Sequence, residues 1–260
     1  MNSDKNIDLY SKKYFLTEES GHNLFAKNEI QERFRNTLSG VEFSPKDKVL
    51  DLGAGRGEIG LLLKNMVGSI VLTDYSDDAL EIIRSTVGGI KNVTVEKTNA
   101  KSIPYPPNTF DKVFFLEVIE HLYPHETQQV LGEIARVLKP GGSLILSTGP
   151  NKYLSAPQYF IAEKIFGLEL KTAKYHLNEF SYFSLRKALS KYFAECKISC
   201  NTEKEWFYNV ISSVSVPNWV KKSVRVSNRV YDAKFCESLR SHLKLEKFLA
   251  HCFHAVATKK

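Results

Sequence analysis

Three glycines, two aspartates and two histidines are the residues of this chain whose types and spacing suit chemistry. Val49-Leu50-Asp51-Leu52-Gly53-Ala54-Gly55-Arg56-Gly57-Glu58-Ile59-Gly60 sets Gly53, Gly55 and Gly57 directly after a short apolar run. Glycines at such a place permit a tight turn and let the backbone approach a ligand closely. Asp74 follows about twenty residues later, where a carboxylate can accept hydrogen bonds from both ribose hydroxyls of an adenosine-like ligand. His121 and His176 are the candidate proton acceptors. Imidazole is the commonest side chain to take a proton from a reacting oxygen or nitrogen.

Two other uses of the loop fail on the residues present. A nicotinamide-binding turn usually reads Gly-x-Gly-x-x-Gly, whereas here the order is Gly-x-Gly-x-Gly. A phosphate-gripping loop needs Gly-Lys-Ser/Thr, which is absent.

The elements that must position these residues alternate from Lys48 onward. Strands are expected at Val49–Leu52, Ser69–Thr73, Val93–Val95, Lys112–Leu116 and Ser143–Ser147. Helices are expected at Ile59–Met66, Asp77–Thr86 and Glu126–Leu138, the last stopped by Pro140-Gly141-Gly142. Strands separated by helices of this length imply parallel crossovers in an open sheet. Ligands then bind at the C-terminal strand ends, where both histidines are expected. Before this region, residues 1–40 read as an N-terminal helical cap, with Leu24, Phe25, Ile30, Phe34 and Leu38 at helical spacing. After it, residues 150–180 read as an irregular, aromatic-rich lid. Tyr182–Phe193 reads as a helix, Lys197–Ser199 as a strand and Cys252–Ala257 as the last strand. Residues 203–250 read as an aromatic and basic insertion before it.

The bulk numbers bound the rest. A chain of 260 residues with 43% hydrophobic and 25% charged content is an ordinary globular domain with elaborations. No apolar stretch approaches the ~18 residues of a membrane span, and no apolar leader core follows Met1, so the cytoplasm is the expected location. Cys196, Cys200, Cys236 and Cys252 form no Cys-x-x-Cys pair and read as reduced structural thiols. The net charge of +7 concentrates beyond Asn201, where eleven Lys/Arg face five Asp/Glu. A basic end attracts anionic partners or simply solvates a face.

Read together, the motifs resemble the class I S-adenosylmethionine (SAM)-dependent methyltransferases, in the branch of the ubiquinone-biosynthesis enzymes. Val49–Gly57 matches that family's first motif, and Asp74 its acid after the second strand. Asn99-Ala100 and the run Ile103–Asp111 match the adenine-side segment. Glu117, Glu120 and His121 match Glu-x-x-Glu-His, and Leu138–Gly142 matches Leu-Lys-Pro-Gly-Gly. The resemblance covers about residues 45–200. It implies a Rossmann-like three-layer α/β/α sandwich whose mostly parallel seven-stranded sheet runs 3-2-1-4-5-7-6, with the last strand antiparallel. Residues 41–260 are then the methyltransferase domain, carrying the lid and the later insertion.

The resemblance also implies site roles. Gly53, Ala54 and Gly55 pass beneath the methionine part of SAM, and Asp51 acts near its amino group. Asp74 holds the ribose, Tyr75 and Ala100 border the adenine, Asn99 meets its edge, and Leu116 lies near the sulfonium. His121 and His176 serve as base or acceptor-orienting groups. The expected activity is methyl transfer from SAM to an oxygen of a small-molecule or lipid-linked acceptor. Tyr153, Tyr159, Phe160, Ile161, Ile165 and Phe166 form one apolar surface for it. Trp206–Trp219, followed by Lys221, Lys222 and Arg225, form another, suited to an isoprenoid pocket or peripheral membrane contact. The small-RNA 3′-terminal 2′-O-methyltransferases use a similar Glu-x-x-Glu-His with a later His to hold a divalent metal. That reading would recruit Glu117, Glu120, His121 and His176. Their His-x-Phe-Glu-Trp context is not reproduced by His176-Leu-Asn-Glu-Phe, so neither metal nor nucleic acid is expected. A non-catalytic SAM-binding regulatory subunit is the other alternative.

Overall fold

The computed structural model describes residues 11–16, 37–166, 175–201, 246–250 and 252–260. Along the chain lie α1 (Lys12–Phe15), β1 (Lys48–Leu52), α2 (Glu58–Leu63), β2 (Ser69–Asp74), α3 (Asp77–Val87), β3 (Val93–Lys97) and β4 (Phe110–Leu116). A 3-10 turn, Ile119–His121, is followed by α4 (Thr127–Val137), β5 (Leu138–Thr148), α5 (Lys152–Phe166) and α6 (Tyr182–Leu189). The chain closes with β6 (Phe193–Asn201), α7 (Glu246–Leu249) and β7 (Cys252–Lys259).

The seven strands form one sheet in the order β3-β2-β1-β4-β5-β7-β6. Five strands pair in parallel, and β7 lies antiparallel between β5 and β6. Strand residues alternate between the two faces of this sheet, as a two-residue period requires. Leu50, Leu52, Val113 and Phe115 join the core beneath α4 and α6. Val49, Ile70, Leu72, Phe114 and Leu116 join the one beneath α2 and α3. Covered faces on both sides make the central strands almost uniformly apolar. Asp51, a carboxylate buried near the C-terminal end of β1, departs from that pattern.

Helix starts follow local chemistry. Ser76 caps α3 by accepting the Ala79 amide, and Asp77 and Asp78 sit in its positive first turn. Ser181 and Ser184 form a reciprocal capping box on α6.

Two expectations are corrected. Residues 152–166, expected to be irregular, form the helix α5. Pro140-Gly141-Gly142 does not separate α4 from β5 but lies within β5. There the register to β4 jumps from Leu138 to Ser143, so these residues bulge out of the ladder instead of ending it. In the expected N-terminal cap, the described residues include the four-residue α1 and helical residues at Thr37 and Leu38. Leu24, Phe25, Ile30 and Phe34 lie outside the described residues, as do Trp206–Trp219, Lys221, Lys222, Arg225 and Cys236. Among the described residues, Cys196, Cys200 and Cys252 form no disulfide.

Candidate functional site

β1 and β2 deliver the glycine loop and Asp74 to the same sheet edge. The Gly53 and Ala54 amides both donate to the Thr73 carbonyl at 2.8 Å, so the loop starts tied to β2. Gly53 and Gly57 adopt φ of 85° and 82°, which L side chains rarely adopt. A Cβ on Gly53 would also lie 2.6 Å from Val118 Cγ2. This close approach joins the loop after β1 to the turn after β4.

Asp74 is held by backbone donors on both oxygens. Gly55 N–H donates to Oδ2 at 3.1 Å and Ser76 N–H to Oδ1 at 2.9 Å. The Tyr75 amide acts on Asp74 as well, and these backbone bonds fix the direction of a carboxylate that has about four acceptor sites. Burial raises the Asp74 pKa above the ordinary value, and these amides oppose the shift.

Asp51 is 2% exposed, and its carbonyl accepts the Thr73 hydroxyl at 2.9 Å. Its pKa is pushed up to about 8, first by burial, then by the charges of Asp74 and Glu58. Glu58 itself pairs with Arg56 at 2.9 Å, with both side chains buried. Arg56 also donates to the Phe15 carbonyl at 3.2 Å, which holds α1 over the loop. An acidic pocket beneath a glycine turn suits a cationic ligand with a ribose; these residues fit SAM.

Asn99 Oδ1 accepts the Lys101 amide at 2.9 Å, and Ala100 packs against the core. Tyr75 is exposed, with Lys97 Nζ 5.9 Å from its ring centre. Leu116 ends β4 in the second core cluster, 7% exposed. Thr98, which carries no sequence signal, lies beside them. Its Oγ1 is buried and has no hydrogen-bond partner.

His121 and His176 come together, with ring centres 5.2 Å apart. His121 Nδ1 lies 2.9 Å from the Tyr175 carbonyl. A carbonyl only accepts, so Nδ1 carries the proton and the neutral ring's lone pair is on Nε2. Burial lowers the His121 pKa, opposed by that bond and by the Glu117 charge. Glu120, the residue before His121, is buried, with Oε2 accepting from Thr148 Oγ1 at 3.0 Å. Burial and the neighbouring Glu117 carboxylate raise its pKa well above the ordinary range. Sequence reasoning placed Glu117 and Glu120 in a motif, but not Thr148 beneath Glu120 or Glu179 beside His176. Glu179 Oε1 lies 4.0 Å from His176 Nδ1.

Comparison with known proteins agrees with this geometry. Residues 49–142 match the family described as methyltransferase domain. The ubiquinone/menaquinone biosynthesis C-methyltransferase UbiE of Teredinibacter turnerae is 31% identical over 147 residues, covering 54% of this chain and 55% of that protein. Over that segment the chain is similar to methyltransferases. The chain also shares its fold with the geranyl diphosphate C-methyltransferase of Streptomyces coelicolor A3(2). That structure, with Mg2+, geranyl diphosphate and S-adenosylhomocysteine, is 16% identical with a TM-score of 0.56 over 88% of this chain and 77% of that one. Phosphoethanolamine N-methyltransferase 2 of Haemonchus contortus, in complex with phosphomonomethylethanolamine and S-adenosylhomocysteine, gives 18% and 0.56, over 88% and 52%. These structures support the fold. The match to UbiE spans little more than half that protein's length. Among the described residues no helix is long and apolar enough to cross a membrane.

Proposed function

We propose that the chain is an enzyme that transfers the methyl group of SAM to an oxygen of a small or lipid-linked acceptor. The observation that carries this reading is the contact of Gly53 with Val118. It sets the cofactor loop against the Val118–His121 turn, which bears the imidazole and carboxylate groups. Bound SAM supplies an electrophilic methyl on a sulfonium. Asp74 orients the ribose, and Asp51 favours the cationic methionine end. His121 Nε2 or His176 takes the acceptor's proton, and the ordered strand ends hold the acceptor in line, an effect worth several kcal/mol.

The apolar acceptor is read from the surface above the site. Tyr153 and Phe160 on α5 are 47% and 62% exposed, and Phe183 and Phe248 beside them 48% and 42%. Exposed aromatics of this kind suit an isoprenoid chain or a membrane surface.

Transfer to carbon is the second reading, favoured by the UbiE relative, which is named a C-methyltransferase. Methyl-labelled SAM supplied with a panel of phenolic, isoprenoid and hydroxylated-ring acceptors separates the two. Carbon-13 spectra of the products report a methyl on oxygen if the first reading holds. A methyl on a ring carbon overturns it in favour of the second. SAM binding without transfer to any acceptor of the panel overturns both in favour of a regulatory subunit.

A further inference from the structure

We propose that the face built by α5, α6 and α7 docks on an anionic lipid surface. Tyr153, Phe160, Phe183 and Phe248 are all exposed on these helices. Three of the rings are neighbours: the centres of Tyr153 and Phe248 lie 5.5 Å apart, and those of Phe183 and Phe248 5.6 Å. Phe160 stands seven residues after Tyr153, about two turns on and on the same side of α5. Two hydrogen bonds tie the three helices together. The Asn151 side-chain amide donates to the Phe248 carbonyl on α7 at 3.0 Å, and the Lys152 amide to the Phe180 carbonyl just before α6 at 3.0 Å. A contiguous exposed apolar patch marks an interaction site, whereas single exposed apolar residues do not.

The charges around these rings choose the occupant. Lys152 precedes Tyr153, Lys247 precedes Phe248, and Arg186 and Lys187 follow Phe183 by three and four residues, on the same side of α6. Lys152, Arg186 and Lys187 are exposed, and Lys247 Nζ lies 4.8 Å from the Tyr182 ring centre. Together the three helices carry five Lys/Arg against Glu163 and Glu246, and Glu163 pairs with Lys164 at 2.8 Å. Exposed rings set among cations match the boundary between acyl chains and anionic headgroups. Each Lys or Arg near such a surface strengthens attachment roughly five-fold. A second copy of the chain fits less well, because a two-fold interface would set this positive face against itself.

The face borders the strand ends. α5 follows the C-terminal end of β5 at Thr148, and α7 leads into β7, whose Phe253 pairs with Thr148. A membrane-held acceptor would reach the cofactor edge from there, a role that rests on the lipid-linked reading of the acceptor. The test uses the full chain and vesicles of phosphatidylcholine, alone or mixed with phosphatidylglycerol, in a sedimentation assay. Wild type is expected to bind the mixed vesicles and to be released by high salt, which screens charge. Tyr153→Ser with Phe160→Ser, and separately Lys152→Glu with Lys187→Glu, are expected to weaken binding at least ten-fold. Melting temperature and SAM affinity should stay at their wild-type values. If the serine variant fails to fold, the charge variant, altered only at exposed residues, carries the test. No binding of wild type to mixed vesicles, equal binding to neutral ones, or undiminished binding by the folded variants overturns the anionic partner. A dimer that Phe160→Ser dissociates, without vesicle binding, overturns it in favour of a second copy. Vesicle binding through this face with methyl transfer only to water-soluble acceptors would overturn the lipid-linked reading and leave the surface standing. Transfer to a lipid-linked acceptor in detergent without vesicle binding would do the reverse.

Discussion

The Gly55 amide donates to Asp74 Oδ2 at 3.1 Å, and this bond links the ends of the two strands that build the cofactor cradle. A ribose held by Asp74 and a methionine end held over the loop, as proposed, would therefore be coupled through one carboxylate. Asp74→Ala removes the ribose acceptor and frees the loop together. Hydrogen bonds to a charged group contribute about 1.5–3 kcal/mol each. Calorimetry should show SAM affinity falling by roughly ten- to a hundred-fold or more. Unchanged affinity would mean the ribose is held elsewhere.

Asp51 gives a pH prediction with a definite sign. Its folded pKa of about 8 lies above the ordinary carboxylate value. The unfolded chain therefore ionises first, and Asp51 increasingly opposes folding as pH rises from about 4 to about 8. Asp51→Asn should raise the melting temperature of the ligand-free protein at pH 8–9, with the gain vanishing towards pH 4. A gain that is the same at both ends of this range would show that Asp51 does not titrate so.

The same acid should release a proton when a cation settles over it. At pH 7, SAM binding measured in buffers of different ionisation heat should release close to one proton per ligand, given a free-state pKa of about 8. Asp51→Asn should abolish that release. Proton-neutral binding by wild type would place the methionine end away from Asp51.

Thr98 should tolerate loss of its hydroxyl. Its buried Oγ1 has no hydrogen-bond partner, and an unsatisfied buried hydroxyl costs about 1–3 kcal/mol. Thr98→Val keeps the shape and should stabilise the ligand-free protein by about 1 kcal/mol in urea denaturation. Destabilisation would reveal a bonded hydroxyl.

If His121 or His176 removes the acceptor proton, His121→Ala or His176→Ala should lower kcat by about 10²–10⁴-fold. SAM affinity should stay within a few-fold of wild type. Full turnover in both variants would mean that orientation alone drives transfer.

What the sequence made legible follows from how local each signal is. The turn at Gly53–Gly57 and the acid at Asp74 announce themselves through residue type and spacing. The alternation of apolar strands and amphipathic helices located β1 to β5, but the sheet order came from family resemblance. α5 was missed because Pro157 stands inside it, and proline normally ends a helix. Other features are joined across the chain and leave no local trace. Asn151 is fully buried, and its side-chain amide donates to the Phe248 and Ala250 carbonyls at 3.0 Å, nearly a hundred residues away. Thr37 hydrogen-bonds His254 on β7 across an even longer span. Thr148 reaches Glu120 only because β5 lies beside β4.

The central claim is acceptor-dependent methyl transfer from SAM at the edge built by Asp51, Asp74 and the Glu117–His121 turn. The most direct measurement is S-adenosylhomocysteine formed from methyl-labelled SAM, with and without apolar hydroxylated acceptors, in wild type and Asp74→Ala. The account predicts label in the acceptor and matching S-adenosylhomocysteine for wild type, with both sharply reduced in the variant. Equal product from the two proteins, or tight SAM binding with no labelled acceptor across the panel, would contradict it.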